Sequence, residues 1–318
     1  MSEKGEKIED ANPDRHRGFI SVADWSCDEL LDLLARAQHL KRLHRMGERT
    51  QSLQGRTLAM YFEKPSLRTH VTFEAGMTQL GGHAILLRPE QVGIGTRETP
   101  QDVARALSRW VHGIMARTFS HSLVEQLARE ASIPVINGLT DFLHPCQAMA
   151  DLQTMSEKKD PLQSTLAYLG DGNNVAHSLV LLGAVLGFKV KLATPASHTI
   201  SPRIREQAEK LAKTSGAEIS WTEDAREAVT GADFVYTDTW TSMGQEDETE
   251  IRRKIFASYQ VNTSLLESCP NAWVMHCMPA HRGEEITDEV LDGPRSLVYD
   301  QAENRLHAQK AILERVMG

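Results

Sequence analysis

The sequence predicts an α/β protein of two domains, each a mostly parallel sheet covered by helices on both faces. Three observations carry this expectation. Short apolar runs alternate with stretches whose apolar residues recur every three to four positions, the marks of buried strands and amphipathic helices. The alternation continues through both halves of the chain, and strands that alternate with helices form parallel sheets with both faces covered. The chain has 318 residues, and at roughly 100–200 residues per domain that suggests two.

Taken in order, a helix is expected from Ser26 to about Arg45, where Leu30, Leu31, Leu34, Ala37 and Leu40 fall at helical spacing. Thr57 to Phe62 reads as a short buried strand, and the pattern is helical from Ser66 to about Leu80. Ala84 to Leu87 is a strand, and a helix begins near Pro100, a residue suited to a first turn. Gly113 to Ala116 is the next strand. Leu123, Val124, Leu127 and Ala131 mark a helix, and Ile133 to Ile136 a strand that leads into the turn Asn137-Gly138.

A polar break including Ser156, Lys158, Lys159, Asp160 and Pro161 places the domain boundary near 148–160. Leu166 to Leu169 then reads as a strand ending in Gly170-Asp171-Gly172, and Val175, Leu179, Leu182 and Leu186 form one helical face. Phe188 to Ala193 is a strand, and a helix runs from Pro202 to Gly216. Glu218 to Trp221, Phe234 to Tyr236, Trp273 to His276 and Leu297-Val298 are further strands, and Ala302, Leu306, Ile312, Leu313 and Val316 describe a closing helix. The expected domains are 19–148 and 149–318, with residues 1–18 a mobile tail by composition.

Composition excludes several classes. Apolar residues make up 41% and charged residues 25%, which rules out collagen-like and largely disordered chains. Lys plus Arg is 35 against 43 Asp plus Glu, so the net charge of -8 argues against general nucleic-acid binding. No run approaches the roughly 20 apolar residues of a membrane span. The N-terminal segment lacks the apolar core of a secretory signal. Cys27, Cys146, Cys269 and Cys277 show no CxxC spacing, so no disulfide scaffold, no zinc ribbon and a reduced, cytoplasmic setting are expected.

In such folds ligands sit beyond the carboxyl ends of the strands, and the unusual clusters of this chain follow strands. Glu63-Lys64-Pro65-Ser66-Leu67-Arg68-Thr69-His70 joins a strand to a helix whose cap is Ser66. Free N–H groups with hydroxyls and a guanidinium suit an anion such as phosphate, although a plain capped helix reads equally well. His144-Pro145-Cys146-Gln147 puts an imidazole and an amide three apart at a helix start, suited to a polarised carbonyl. A structural histidine, or a His–Cys metal pair without evident further ligands, fits the same spacing.

Gly170-Asp171-Gly172-Asn173-Asn174-Val175 resembles half a dinucleotide fingerprint, but Val175 holds the third-glycine position and no acidic residue follows about 20 residues on. A tight turn in which Asn174 presents an amide to a small ligand fits better. Asp238 ends a strand and could hold an amino group ahead of Thr239 to Glu246, a loop that also reads as a capped, mobile segment. His276-Cys277-Met278-Pro279 follows another strand; Cys277 is a candidate thiol without triad spacing. From charge alone, Glu303-Asn304-Arg305 is a solvated helix face.

The ordered set Ser66-Leu67-Arg68-Thr69, His144-Pro145-Cys146-Gln147, Asp171-Gly172-Asn173-Asn174, Ser242-Met243-Gly244 and His276-Cys277-Met278-Pro279 resembles the ornithine carbamoyltransferases of the aspartate/ornithine carbamoyltransferase superfamily, from about Phe19 onward. The resemblance implies transfer of a carbamoyl group from carbamoyl phosphate to L-ornithine, giving L-citrulline and phosphate in a step of arginine biosynthesis, with no metal or organic cofactor. It implies a first domain for carbamoyl phosphate and a second for ornithine, a closing helix (about 301–318) packed back on the first domain, and a homotrimer. By position it implies Ser66, Leu67, Arg68, Thr69 and Arg117 at the phosphate, and His144, Gln147 and Arg305 at the carbamoyl group. Asn174, Asp238, Ser242, Met243, Cys277 and Met278 fall to ornithine, with Arg117, His144, Asp238 and Cys277 carrying the catalysis.

Three positions depart from the family's pattern. Leu67 stands where Thr is commonest, and relatives that use acylated ornithine share Leu there. His70 replaces an Arg. Gly93 stands where many members have a Gln or His that reaches a neighbouring subunit's site. A carbamoyltransferase for N-acylated ornithine and a non-catalytic paralogue are therefore the alternatives.

Overall fold

Each half of the chain builds one parallel sheet. The computed structural model describes residues 18–241 and 246–318; the expected N-terminal tail, Gly18 apart, lies outside them. In the first half, α1 (Cys27–Arg45) opens with a reciprocal cap, Ser26 and Glu29 each accepting the other's backbone N–H. There follow β1 (Thr57–Phe62), α2 (Leu67–Gln79), β2 (His83–Leu87), α3 (Pro89–Val92), α4 (Pro100–Leu107), β3 (Gly113–Arg117), α5 (His121–Glu130) and β4 (Val135–Leu139). The strands lie in the order β2-β1-β3-β4.

After α6 (Pro145–Ser156), the second half runs β5 (Thr165–Leu169), α7 (Asn174–Leu186), β6 (Lys189–Ala193), α8 (Pro202–Ser215), β7 (Ile219–Thr222), α9 (Ala225–Val229), β8 (Phe234–Thr237), α10 (Thr249–Phe256), α11 (Thr263–Leu266), β9 (Trp273–His276), α12 (Asp288–Leu291) and α13 (Val298–Met317). Its sheet has the order β7-β6-β5-β8-β9, with every pairing parallel.

Both sheets contain a switch point. The chain leaves β1 toward β2 and returns to β1's other side as β3; likewise it leaves β5 toward β6 and returns as β8. Loops diverge at such points and leave a crevice at the strands' carboxyl ends. The two crevices adjoin because α13 crosses back onto α6, α1 and α2. Ile312 and Leu313 are fully buried there. Each such side chain contributes about 1.5–3 kcal/mol. Arg36 Nη2 donates to Glu314 Oε1 at 2.9 Å and fixes the helix's far end.

Several elements differ from expectation. Asn137 and Gly138 do not form a turn; they lie inside β4, Asn137 pairing with Ala116 across a register shift at Ala116/Arg117. Gly138 serves close packing there, since a Cβ would meet Met115 Sδ at 2.5 Å. Most of 148–160 is buried helix, α6, and the polar connection begins only at Glu157. Leu297-Val298 is no strand: Leu297 caps α13, and only Ser296 bridges to Val274. The short helices α3 and α9 to α12 span eight residues or fewer, too few for periodicity to reveal.

Candidate active site

One cavity of about 560 Å³ opens where the two crevices meet. Its first wall comes from the ends of β1 and β3. Ser66 caps α2, its Oγ accepting from Thr69 N–H at 3.2 Å, so the N–H groups of Leu67 and Arg68 in the first turn have no partner within the helix. Arg68 lines the cavity beside them, and Leu67, 76% exposed, stands at its mouth. Thr69 is fully buried, and its hydroxyl accepts from two guanidiniums: Arg117 Nη1 at 3.2 Å and Arg305 Nη2 at 2.8 Å.

Two buried guanidiniums at one hydroxyl make a cationic wall. Burial, then the charge of Arg305, pushes Arg117 down to about 9, so it stays charged at neutral pH. Burial, then Arg68, lowers Arg305 as well. His144, the N-cap of α6, lies on the same wall. Burial, then Arg305 and Arg117, holds its pKa well below the usual 6.5, so the imidazole is neutral. Its buried Nδ1 has no partner among the described residues. Cys146 faces elsewhere, its Sγ donating to Asn137 O at 3.3 Å, so the His–Cys metal pair does not form.

The opposite wall follows β5, β8 and β9. Asp238, just past β8, accepts from Asn173 Nδ2 at 2.7 Å and from Cys277 Sγ at 3.1 Å. Burial, then Asp238, raises the Cys277 pKa well above 9, so this is a thiol and not a thiolate nucleophile. Met278 lines the cavity with φ +59°, a left-handed conformation uncommon outside glycine. Asn174 also reaches the cavity, but its Nδ2 already donates to Thr140 O at 2.5 Å. Within the turn after β5, Gly172 permits close approach; a Cβ would collide with the backbone of Thr199 and Ile200. Asp171 pairs with buried Arg252 at 2.9 Å, which makes it a brace of that turn.

Asp238, His276 and Cys277 bring possible metal-ligand atoms within 4.8 Å of one another, as do His281, Glu284 and Glu285. The first group spends those atoms internally. His276 Nε2 meets Glu285 Oε1 at 3.0 Å, and its Nδ1 accepts from Met278 N–H at 2.9 Å.

The structure thus brings Ser66, Leu67, Arg68, Thr69, Arg117, His144, Asn174, Asp238, Cys277, Met278 and Arg305 to one cavity. Gln147 stands behind Arg305 as its acceptor. Ser242 and Met243 lie outside the described residues. The solvated-face reading of Glu303-Asn304-Arg305 is overturned for Asn304 and Arg305, both buried, because that face of α13 is covered by α6. His70 points along its own helix to Glu74 at 2.9 Å. Sequence reading gave no role to Lys64, buried at the cavity edge, or to Asp151 beneath Gln147. A lone carboxylate in the apolar run Ala148 to Leu152 was the available signal for Asp151.

In comparison with known proteins, each half of the chain matches a family profile. Residues 17–157 match the family profile "Aspartate/ornithine carbamoyltransferase, carbamoyl-P binding domain". Residues 162–316 match "Aspartate/ornithine carbamoyltransferase, Asp/Orn binding domain". A curated ornithine carbamoyltransferase of Thermococcus kodakarensis is 50% identical over 304 residues, covering 95% of this chain and 96% of that one. An anabolic ornithine carbamoyltransferase of Pyrococcus furiosus is 49% identical with the same coverage. The solved ornithine carbamoyltransferase structure from Pyrococcus furiosus superposes with a TM-score of 0.93 at 49% identity, over 96% of this chain and 98% of that one. The ornithine transcarbamoylase structure from Giardia lamblia does so at 0.86 and 32%, over 95% and 98%.

Proposed function

The chain belongs to the aspartate/ornithine carbamoyltransferase family, and on that premise we propose that it transfers the carbamoyl group of carbamoyl phosphate to the side-chain amine of L-ornithine, giving L-citrulline and phosphate. One observation carries the assignment of the cavity: a buried cationic wall, Arg117 of the first half with Arg305 of the returning α13, faces the carboxylate–thiol pair Asp238 and Cys277. The first suits a phosphate dianion and a carbonyl oxygen; the second suits an amine.

In this reading the α2 start, Ser66 to Thr69, and Arg117 hold the phosphate. His144 and Arg305 aim donors at the carbamoyl oxygen, and Gln147 orients Arg305. Asp238, with Asn174, Ser242 and Met243, binds ornithine, while Cys277 and Met278 line the space beside the reacting nitrogen. An ammonium has no lone pair, so the amine must lose a proton before it attacks, and a partly desolvated site favours the neutral form. The nitrogen then bonds to the carbamoyl carbon, charge collects on the carbonyl oxygen, and the carbon–oxygen bond to phosphate breaks. Arg117, Arg305 and neutral His144 stabilise that oxygen. The released phosphate takes the amine's second proton. Holding both substrates in line supplies much of the rate.

We further read the assembly as a homotrimer, supported by Leu67, Val71 and Ile85, large apolar side chains left exposed beside the site and on edge strand β2. A cytoplasmic setting is supported by four free cysteines. No helix among the described residues is long and apolar enough to cross a membrane. A citrulline assay with carbamoyl phosphate and L-ornithine, run beside N-acetylornithine and aspartate, tests the proposal. Turnover with ornithine alone is expected; turnover only with another acceptor, or with none, rejects it.

A further inference from the structure

Behind the cavity, a buried chain of hydrogen bonds runs from one wall to the other. Arg305 Nη1 donates to Gln147 Oε1, and Gln147 Nε2 donates to Asp151 Oδ1 at 2.7 Å. The same Oδ1 accepts from Gln301 Nε2 at 2.8 Å, and Gln301 Oε1 accepts from the His276 N–H at 2.8 Å. All five residues are at most 4% exposed. The direction of each bond is forced. A guanidinium and a backbone N–H only donate, so both amides must turn their oxygens outward and their nitrogens toward Asp151. One oxygen then faces Arg305 and the other the backbone that leads into Cys277.

From this arrangement we infer that Gln301 is a positioning residue of the reaction, tying the His276–Cys277 backbone to the Asp151–Gln147–Arg305 chain and holding the two substrate subsites at one spacing. The inference rests on the function proposed above. Gln301 touches neither substrate subsite; it acts through the groups it holds. The residue lies on α13, Asp151 on α6 and His276 at the end of β9, so one side chain links three elements. Reaction between two bound substrates is steep in their separation, so losing the tie should cost rate more than binding.

Two variants test it. Gln301→Met keeps the length and removes both bonds; kcat is expected to fall about tenfold or more, with KM for either substrate within about threefold of the parent. Gln301→Glu sets two carboxyls together, so one holds a proton until the pH rises. Whichever of the two carboxyls holds it, that proton bridges them, and the free oxygen of the introduced carboxyl still accepts from the His276 N–H, so the tie is kept. Gln301→Glu is therefore expected to recover most of the parent kcat near pH ~6 and lose it toward pH ~9, a profile that loss of packing alone does not produce. Parent-like kcat in Gln301→Met, or Gln301→Glu no better than Gln301→Met at any pH, overturns the inference.

A parent protein that makes no citrulline rejects the proposed function instead. The tie is then read by amide hydrogen exchange on substrate-free protein. Faster exchange at residues 274–280 in Gln301→Met, with distant peptides unchanged, supports it, and unchanged exchange there overturns it.

Discussion

Cys277 Sγ donates to Asp238 Oδ1 at 3.1 Å, and Asn173 Nδ2 donates to the other oxygen of the same carboxylate at 2.7 Å. The loops after β5, β8 and β9 thereby converge on one buried anion. This anion fixes the wall proposed for ornithine, while its counter-charges stand across the cavity.

Asp238→Asn keeps the shape and removes the charge. Ornithine affinity is expected to fall at least about tenfold, the scale of one lost charge-assisted contact, with carbamoyl phosphate affinity unchanged. Calorimetric titration of each ligand measures this. Equal losses for both would mean a disturbed fold and reject the role.

Arg68→Ala removes a cavity-lining guanidinium at the α2 start. A charge-assisted hydrogen bond is worth about 1.5–3 kcal/mol, so carbamoyl phosphate should bind about 10–150-fold more weakly. Equilibrium binding of carbamoyl phosphate reads this directly, and unchanged affinity refutes the assignment.

Acid should loosen the junction between the halves. His177 Nδ1 donates to Phe142 O at 2.9 Å and its Nε2 accepts from Ser201 N–H at 3.0 Å, so the neutral ring uses both nitrogens. Burial pushes its pKa from 6.5 to about 4, and that of His307 to about 3. The unfolded chain therefore binds more protons than the folded one between these values and 6.5, and stability falls as pH drops through that window. Asp151, raised by burial to about 7, acts in the opposite sense between 3.8 and 7. His144 and His121, also lowered by burial, act with the first two histidines, and Asp171, raised by burial, acts with Asp151. The histidines outnumber the carboxyls, so the urea midpoint should be lower at pH ~5 than at pH ~7. His177→Gln should be less stable at pH ~7 but show a shallower slope; an unchanged slope would dismiss His177 as its source.

Gly93 ends α3 at φ +72°, and a Cβ there would meet the Arg97 Cβ at 2.9 Å. Restoring a family-like Gln at this position should cost about 1–2 kcal/mol of stability, since an L side chain is strained in that conformation. Thermal unfolding of Gly93→Gln checks this. A variant as stable as the parent would show that the loop readjusts.

Most of the scaffold was legible because its strands are short apolar runs and its long helices are amphipathic, as with Thr57 to Phe62 and Ser26 to Arg45. Where reading failed, the signal was ambiguous for a physical reason. Asn137-Gly138 is turn chemistry by composition, yet the glycine is there for Met115. Arg305 reads as a surface charge until α6 covers it. Most cavity residues lie in an ordered set of motifs, and Arg117, Asp238 and Arg305 follow from it by position; Asp151 and Gln301 belong to no such motif. Their meaning lies in what faces them, and Asp151 and Gln301 are 150 positions apart.

The return of α13 onto the first half has a consequence for how the protein comes into being. The groove formed by α1, α2 and α6 waits for a helix that follows α6 by roughly 140 residues, and closing so wide a loop is slow. During synthesis the first sheet emerges early with that apolar groove unfilled, where Ile312 and Leu313 will later lie. Completion of the first half is thus tied to completion of the second, and a ribosome that stalled before α13 would release a product with an open core.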